Sequence, residues 1–310
     1  MFIEVQDVCK RYGAHVALDH VSLSVPDGSI YGLLGPNGAG KTSLIRIINR
    51  ITHADSGQVL MHGKPMTDDD IRQIGYLPEE RGLYKKMKVQ DEIVYLARLR
   101  GLSRFDAMQR MGEWLDRFDL GSWRDKKVEQ LSKGMAQKVQ FITTVIHRPP
   151  LLIFDEPFSG FDPVNAEQLK REIIRLKEEG AAILFSTHNM SSVEEVCQEI
   201  SLINHAQVVL QGSVEEVRRQ YRSHLYQVLL EDGTYFDYQL PEGMSVREAI
   251  TKLNAEYALA GFHEILPSMQ QIFMQAVGAT EYNVPASDKN SERPSNTEGS
   301  VLGHNTTVKV

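Results

Sequence analysis

Over the first forty residues apolar and polar positions alternate, as in Val21-Ser22-Leu23-Ser24-Val25, the period-2 pattern of a half-buried strand. Pro26-Asp27-Gly28 interrupts the pattern, and the near-continuous apolar run 29–34 follows. The spacing predicts hairpins leading into a core strand. Between about 89 and 147 the period changes: Met108, Met111, Leu115 and Phe118 recur at three and four, as do Met135, Val139, Ile142 and Ile146. This predicts a helical subdomain in which the methionines are core filler rather than a ligand set. From Leu151 an apolar run, a helical spacing (Ala166, Leu169, Ile173, Leu176) and a second apolar run over 181–185 follow in turn. That alternation is the grammar of a parallel sheet with crossover helices.

Near Gly212 the character shifts to a shorter unit, with strand-like stretches at 225–230 and 235–240 around an Asp232-Gly233 turn and helical stretches at about 245–258 and 267–277. The expected organisation is a main α/β domain over 1–212, a small mixed α/β accessory domain over 213–282, and a disordered tail over 283–310, where Ser, Asn, Pro, Gly and Thr leave little to bury. With 310 residues and 42% hydrophobic content, the chain can bury one large core and one smaller one.

Charge and cysteine usage narrow the function. The net charge is −7 with acidic and basic residues interspersed, which argues against a nucleic-acid partner held by a basic face. Cys9 and Cys197 form no CxxC spacing, so neither a disulfide framework nor a zinc site is indicated, and buried free thiols are expected. Met1-Phe2-Ile3-Glu4 is not followed by a signal-peptide pattern, and the apolar runs at 151–154 and 181–185 fall far short of the ~20 residues of a membrane span. The expectation is a cytoplasmic chain, any membrane spans being supplied by another protein.

The chemistry concentrates in two places. Gly35-Pro36-Asn37-Gly38-Ala39-Gly40-Lys41-Thr42, followed by Ser43, fits the phosphate-binding loop pattern between a strand ending at Leu34 and an amphipathic segment over 43–49. Glycines let backbone N–H groups turn toward phosphate oxygens at a helix N-terminus. Lys41 then neutralises the β- and γ-phosphates of ATP, and Thr42 offers its hydroxyl to Mg²⁺. Leu151-Leu152-Ile153-Phe154 runs into Asp155-Glu156 at what would be the carboxyl edge of the sheet. There Asp155 can face the metal while Glu156 polarises the attacking water.

Together these residues resemble the ATP-binding-cassette family, and Leu131-Ser132-Lys133-Gly134-Met135 resembles that family's signature. Ser132 also suits the N-cap of the helix that follows. Lys133 and Met135 depart from the commonest Leu-Ser-Gly-Gly-Gln form, which bears on rate and dimer affinity more than on function. The resemblance implies a P-loop NTPase core with an antiparallel β subdomain and a helical subdomain, a head-to-tail dimer in which the signature of one subunit caps the γ-phosphate on the other, and ATP hydrolysis with Mg²⁺. It also implies that Asp162, within Ser159-Gly160-Phe161-Asp162-Pro163, crosses the dimer interface. His188, within Ser186-Thr187-His188, contacts the γ-phosphate, and Tyr12, within Lys10-Arg11-Tyr12-Gly13, stacks on adenine. Glu79 stands where the family usually has a glutamine, in the loop joining the core to the helical subdomain, and is expected beside the metal with Thr42 and Asp155. Glu79-Glu80-Arg81-Gly82-Leu83-Tyr84 and Lys133 look most similar to ATPase subunits of bacterial two-component exporters, including the sodium-exporter type. The implied partners are a second ATPase subunit, the same or closely related, and a separate integral membrane permease. The implied location is peripheral, on the cytoplasmic face of the cell membrane. The rival is a soluble member of the family that remodels ribosomes or DNA. It is disfavoured by one P-loop and one signature rather than two of each, and by the lack of a long coiled-coil insertion between them.

Overall fold

The computed structural model describes residues 1–80 and 82–278, and the tail expected over 283–310 lies outside them. The chain forms two compact units that meet in sequence at Val214/Glu215.

In the first unit, β1 (Ile3–Tyr12) and β2 (His15–Val25) form an antiparallel hairpin. The Pro26–Gly28 turn then carries the chain out of that sheet rather than into a second hairpin. Its successor, β3 (Ile30–Leu34), is fully buried and pairs in parallel with strands from far along the sequence. The core strand expected after this turn is therefore present, but one hairpin rather than several precedes it, because turn residues mark where a chain reverses and say nothing about which strand it pairs with next.

After α1 (Lys41–Ile48), strands β4 (Ser56–Met61) and β5 (Lys64–Pro65) complete a sheet of order β2-β1-β4-β5. Strand β6 (Ile74–Leu77) leads into three helices: α2 (Val89–Leu99), α3 (Arg104–Arg117) and α4 (Lys133–Val145). These make the helical subdomain, but α3 buries Ala107, Met111, Trp114, Leu115 and Phe118 and leaves Met108 40% exposed. The buried face is rotated from the expected one, and Met108 is not core.

From there β7 (Leu151–Asp155), α5 (Pro163–Glu178), β8 (Ala182–Thr187), α6 (Met190–Val196), β9 (Glu199–Asn204) and β10 (Gln207–Ser213) finish the unit. The second sheet has the order β10-β9-β3-β8-β7-β6, parallel throughout except for the β9/β10 hairpin. That hairpin turns on His205 and Ala206, both at positive φ as a two-residue turn requires. Alternate residues of the parallel strands serve two cores. Tyr31, Leu33, Ile153 and Leu184 join α1 and the antiparallel sheet in one cluster. On the other face Phe154 packs on Phe141 of α4, and Phe185 on Phe158. A parallel sheet covered on both faces needs strands with near-continuous apolar runs, as β7 over 151–154 and β8 over 182–185 have, before the polar residues at their carboxyl ends.

The second unit begins with most of α7 (Val214–Gln220) and holds a three-stranded antiparallel sheet in which β11 (Leu225–Leu230) lies between β12 (Tyr235–Gln239) and β13 (Leu259–Ile265). Helix α8 (Val246–Glu256) buries Ala249 and Leu253 in a small core with Val228, Phe236 and Tyr238, and α9 (Met269–Ala276) buries Met269 and Ile272. Both helices start at capping boxes, Ser245/Glu248 and Ser268/Gln271. Sequence reading found the first two strands and both of these helices but not α7 or β13. The third strand pairs along its length with β11, yet its own side chains are half-buried or exposed and include a mid-strand glycine, so it lacks a strand's alternation.

Candidate functional site

Strands β3, β7 and β8 lie side by side and run parallel, so the loops at their carboxyl ends converge on one edge of the sheet. The β3 loop turns through Gly35 (φ +151°), Gly38 (φ +81°) and Gly40 (φ +118°) into α1. A Cβ at Gly35 would sit 2.3 Å from the Ile203 carbonyl oxygen, and one at Gly40 the same distance from that of Ala17. Only glycine fits at either position, because the backbone conformation and the close neighbour exclude a side chain together. Lys41 opens α1 almost wholly buried, its ammonium donating to the carbonyls of Gly35 (2.6 Å) and Pro36 (3.1 Å). Burial pulls its pKa down, and the carboxylates of Glu156, Asp155 and Glu79 work against that shift.

At the end of β7, Asp155 is 3% exposed and accepts from the Thr42 hydroxyl at 3.4 Å. Burial raises its pKa. Glu156, also buried, turns the other way. Its φ of +50° lies in the left-handed region that non-glycine residues rarely adopt. Three donors reach its carboxylate: the Thr187 hydroxyl (3.1 Å), the His188 backbone N–H (2.9 Å) and His188 Nδ1 (2.6 Å). The backbone N–H of Glu156 itself donates to the Ser186 carbonyl. The two adjacent carboxylates thus face different partners, one the Thr42 hydroxyl in the first turn of α1 and the other the end of β8 and the loop after it. A strained backbone held by this many contacts is the kind of outlier that clusters at working sites.

A cavity of about 310 Å³ brings Tyr12, Asn37, Gly38, Gly40, Lys41, Thr42, Ser43, Glu79, Asp155 and Glu156 together with His15 and Ala17. Tyr12 is 44% exposed on its wall, and Lys10 Nζ lies 5.5 Å from the tyrosine ring centroid. The other motif residues form a second group. Ser132 is the N-cap of α4, accepting from the Met135 N–H at 3.3 Å, and Gly134 lies close to Phe161 and Asn165. Lys133 packs against Gly160. Asp162 caps α5 by accepting from the Asn165 N–H at 3.0 Å, which holds its carboxyl below the usual range. None of Leu131, Ser132, Lys133, Gly134 or Met135 lines the Lys41 cavity.

Residues that the motif reading did not single out hold these groups in place. Gln140 of α4 donates to the carbonyls of Pro78 (3.3 Å) and Glu80 (3.1 Å), fixing the loop that carries Glu79. Gln137, one turn earlier, donates to the Ser159 carbonyl. Both are buried amides among the apolar positions of a helix, which is the sequence signal that could have found them.

The donor set suits a magnesium nucleotide. The Thr42 hydroxyl and the Asp155 carboxylate, already in contact, are hard oxygen ligands with Glu79 on the same cavity wall, and Lys41 lines that cavity beside Gly38 and Gly40. A parallel sheet with this loop at its edge defines a P-loop nucleoside triphosphatase.

A family model described as "ABC transporter" matches residues 18–159. The chain is 40% identical over 295 residues to the uncharacterised ABC transporter ATP-binding protein YhaQ of Bacillus subtilis (strain 168), covering 89% of this chain and 99% of that protein. It is 32% identical over 209 residues to the lantibiotic transport ATP-binding protein SrtF of Streptococcus pyogenes, 67% of this chain and 90% of that one. Among solved structures, an ATP-binding subunit of an ABC transporter superposes with a TM-score of 0.67 at 31% identity, over 71% of this chain and 93% of the other. The chain belongs to the ATP-binding subunits of ABC transporters and is an ATPase. No helix among the described residues is long and apolar enough to cross a membrane.

Proposed function

We propose that this subunit powers an exporter. Two copies close head to tail on ATP at the cytoplasmic face of the membrane, and their opening after hydrolysis drives a separate permease. The observation that carries the reading is the placement of Glu156, buried at the edge of the nucleotide cavity and oriented by Thr187 and His188. In this reading the Glu156 carboxylate accepts a proton from the water that attacks the γ-phosphorus. The bond from that phosphorus to the β,γ-bridging oxygen breaks, and ADP and phosphate leave. Lys41 and backbone N–H groups of the β3 loop would hold phosphate charge, and His188, which keeps Glu156 oriented, would contact the γ-phosphate. Thr42 and Asp155, with Glu79 nearby, would hold Mg²⁺, which neutralises charge on the phosphate oxygens when bound.

The signature residues and Asp162 lie outside the Lys41 cavity and would act on the nucleotide of a second subunit, which is why the reading needs a pair. A two-fold, isologous arrangement builds two composite sites from one surface. ATP that favours the closed pair supplies the differential affinity that drives the change. Support for export comes from the 79–84 stretch and Lys133, which resemble exporter ATPases, and from the likeness to a lantibiotic transport protein. The test is affinity purification of the tagged chain from a detergent extract containing membranes, ribosomes and DNA. Co-purification with an integral membrane protein, whose reconstitution makes ATPase activity respond to cargo, is the expected result. Recovery with ribosomes or DNA alone overturns the reading in favour of a remodelling ATPase.

A further inference from the structure

The β1/β2 hairpin carries three register shifts, of which the first two bear on the residues between Val5 and Lys10. Between the pairs Val5/Leu23 and Val8/Val21, two residues of β1 face one of β2, and between Val8/Val21 and Lys10/Leu18 two residues of β2 face one of β1. Asp7 and His20 take positive φ (54° and 53°) within these bulges. A bulge re-aims side chains that a regular ladder would send to opposite faces. The outcome is that one ligand atom each from Cys9, Asp19 and His20 lies within 4.8 Å of the others.

The hydrogen bonds around this cluster have the form of a metal site's outer layer. Asp7 Oδ1 lies 2.7 Å from His20 Nδ1, which fixes the proton on that nitrogen and leaves Nε2 as the free donor. That Nε2 lies 3.9 Å from Asp19 Oδ1. The other oxygen of Asp19 accepts from the Gln207 side chain at 2.6 Å, so the carboxylate is oriented from β10. The backbone N–H of His20 donates to Cys9 Sγ at 3.2 Å, which fixes the position of the sulfur. Each of the three ligating side chains thus has a hydrogen-bond contact that fixes its position.

We propose that Cys9, Asp19 and His20 form a site for a zinc-class divalent cation, with Asp7 as the positioning residue behind His20. The donor set selects the metal: thiolate and imidazole suit zinc and reject magnesium, and three protein ligands leave the fourth position of a tetrahedral ion for water. Ligand atoms around a tetrahedral zinc with bonds of about 2.0–2.3 Å are about 3.5 Å apart. The present spread must therefore contract by roughly 1 Å, which side-chain rotation supplies because His20 is exposed and Asp19 only half-buried. The absence of any CxxC spacing hid this arrangement, since its donors come from two strands. The site lies three residues before Tyr12 on β1 and two residues after Ala17 on β2, the residue whose carbonyl abuts Gly40. A cation there would staple the two strands that wall the nucleotide cavity.

The test uses the full-length chain without nucleotide and Co²⁺ as the spectroscopic probe. One equivalent of Co²⁺ should produce a thiolate-to-cobalt charge-transfer band with the visible bands of a four-coordinate ion, displaced by Zn²⁺ and untouched by excess Mg²⁺. Cys9→Ser should abolish the charge-transfer band and Cys197→Ser should leave it. His20→Ala should weaken Zn²⁺ affinity at least tenfold. Asp7→Asn should keep the band while weakening affinity about 10–100-fold, the range for loss of an outer-layer partner. All four variants should keep ATPase activity in buffer whose only divalent cation is Mg²⁺, which establishes that they fold. The proposal is overturned if stoichiometric Co²⁺ gives no thiolate band, if Mg²⁺ competes, or if the band follows Cys197. Undiminished affinity in Asp7→Asn overturns the role given to Asp7.

Discussion

Replacing Glu156 by glutamine removes a proton acceptor while changing little else. The amide oxygen can still accept from the backbone N–H and Nδ1 of His188, contacts that measure 2.9 and 2.6 Å in the native site. The amide nitrogen would then face the Thr187 hydroxyl, 3.1 Å away, whose second lone pair remains available beyond the one that accepts from the Asn189 N–H. Glutamine meets the same backbone strain at φ +50° as glutamate does. The folded state therefore loses only the difference between charged and neutral acceptors, about 1 kcal/mol. Nucleotide contacts made by the β3 loop are untouched, so affinity for Mg²⁺-ATP should stay within about threefold, since binding interactions are unchanged. Turnover should fall at least about tenfold, and a general base contributes about 10²–10⁴-fold, equivalent to about 2.7–5.5 kcal/mol of barrier. Steady-state phosphate release measures the loss, and size-exclusion chromatography with ATP should show the variant accumulating as a dimer. Turnover within a few-fold of wild type, with the variant folded and ATP bound, would falsify the assignment of Glu156 as the base.

Three further outcomes are expected. Glu79→Gln should keep most ATPase activity and chiefly shift its Mg²⁺ dependence, because either side chain presents an oxygen acceptor on the cavity wall and only the charge differs. If at saturating metal it is as inactive as Glu156→Gln, Glu79 is itself a catalytic carboxylate. Burial, with the Arg100 charge adding to it, holds the His147 pKa down from its ordinary 6.5 to about 4. Between those values the unfolded chain binds a proton that the folded chain refuses, so stability is complete above about pH 6.5 and falls by about 2–3 kcal/mol as pH drops toward 4. Denaturation midpoints against pH should show this slope, and His147→Gln should flatten it. A slope unchanged in that variant assigns the titration to another group. Gln140→Leu should cost about 1–2 kcal/mol of stability through the unmet carbonyls of Pro78 and Glu80 and lower turnover several-fold with ATP affinity intact. Unaltered kinetics in the folded variant refute a positioning role for Gln140.

What could be read from the sequence was what lies contiguous along it. The glycines of the β3 loop, the Asp155-Glu156 pair at a strand end and the Ser132 N-cap each carry their physics within a few residues, and the structure places them in the local settings that their spacing implied. What could not be read depends on remote partners. Gly35 and Gly40 are fixed by the carbonyls of Ile203 and Ala17, which spacing does not reveal. The left-handed backbone of Glu156 has no mark in the sequence, since glutamate is not a residue that favours it. Met108 follows a helical period, but α3 turns its neighbours Ala107 and Met111 inward instead. Cys9 was expected to be a buried thiol because cysteine usage was judged by spacing, whereas a pair of bulges decides where its sulfur sits.

The same distinction explains why α4 matters more than its signature. Its first turn presents Ser132 and Gly134, the residues that the family resemblance places against a second subunit's nucleotide. One turn on, Gln137 holds the Ser159 carbonyl in the loop that leads to Asp162, and Gln140 holds the loop of Glu79. Further along the helix, Phe141 packs on Phe154, the residue before Asp155. A close-packed helix moves as a body rather than bending at each contact. A shift of α4 that follows closure on a partner's nucleotide would therefore reach the Glu79 loop, the Ser159 loop and the base of the carboxylate pair through three contacts of one rigid element. In the proposed pair, two amides and an aromatic pair would join hydrolysis to subunit docking, each a short-range contact that fails if α4 moves without its partner.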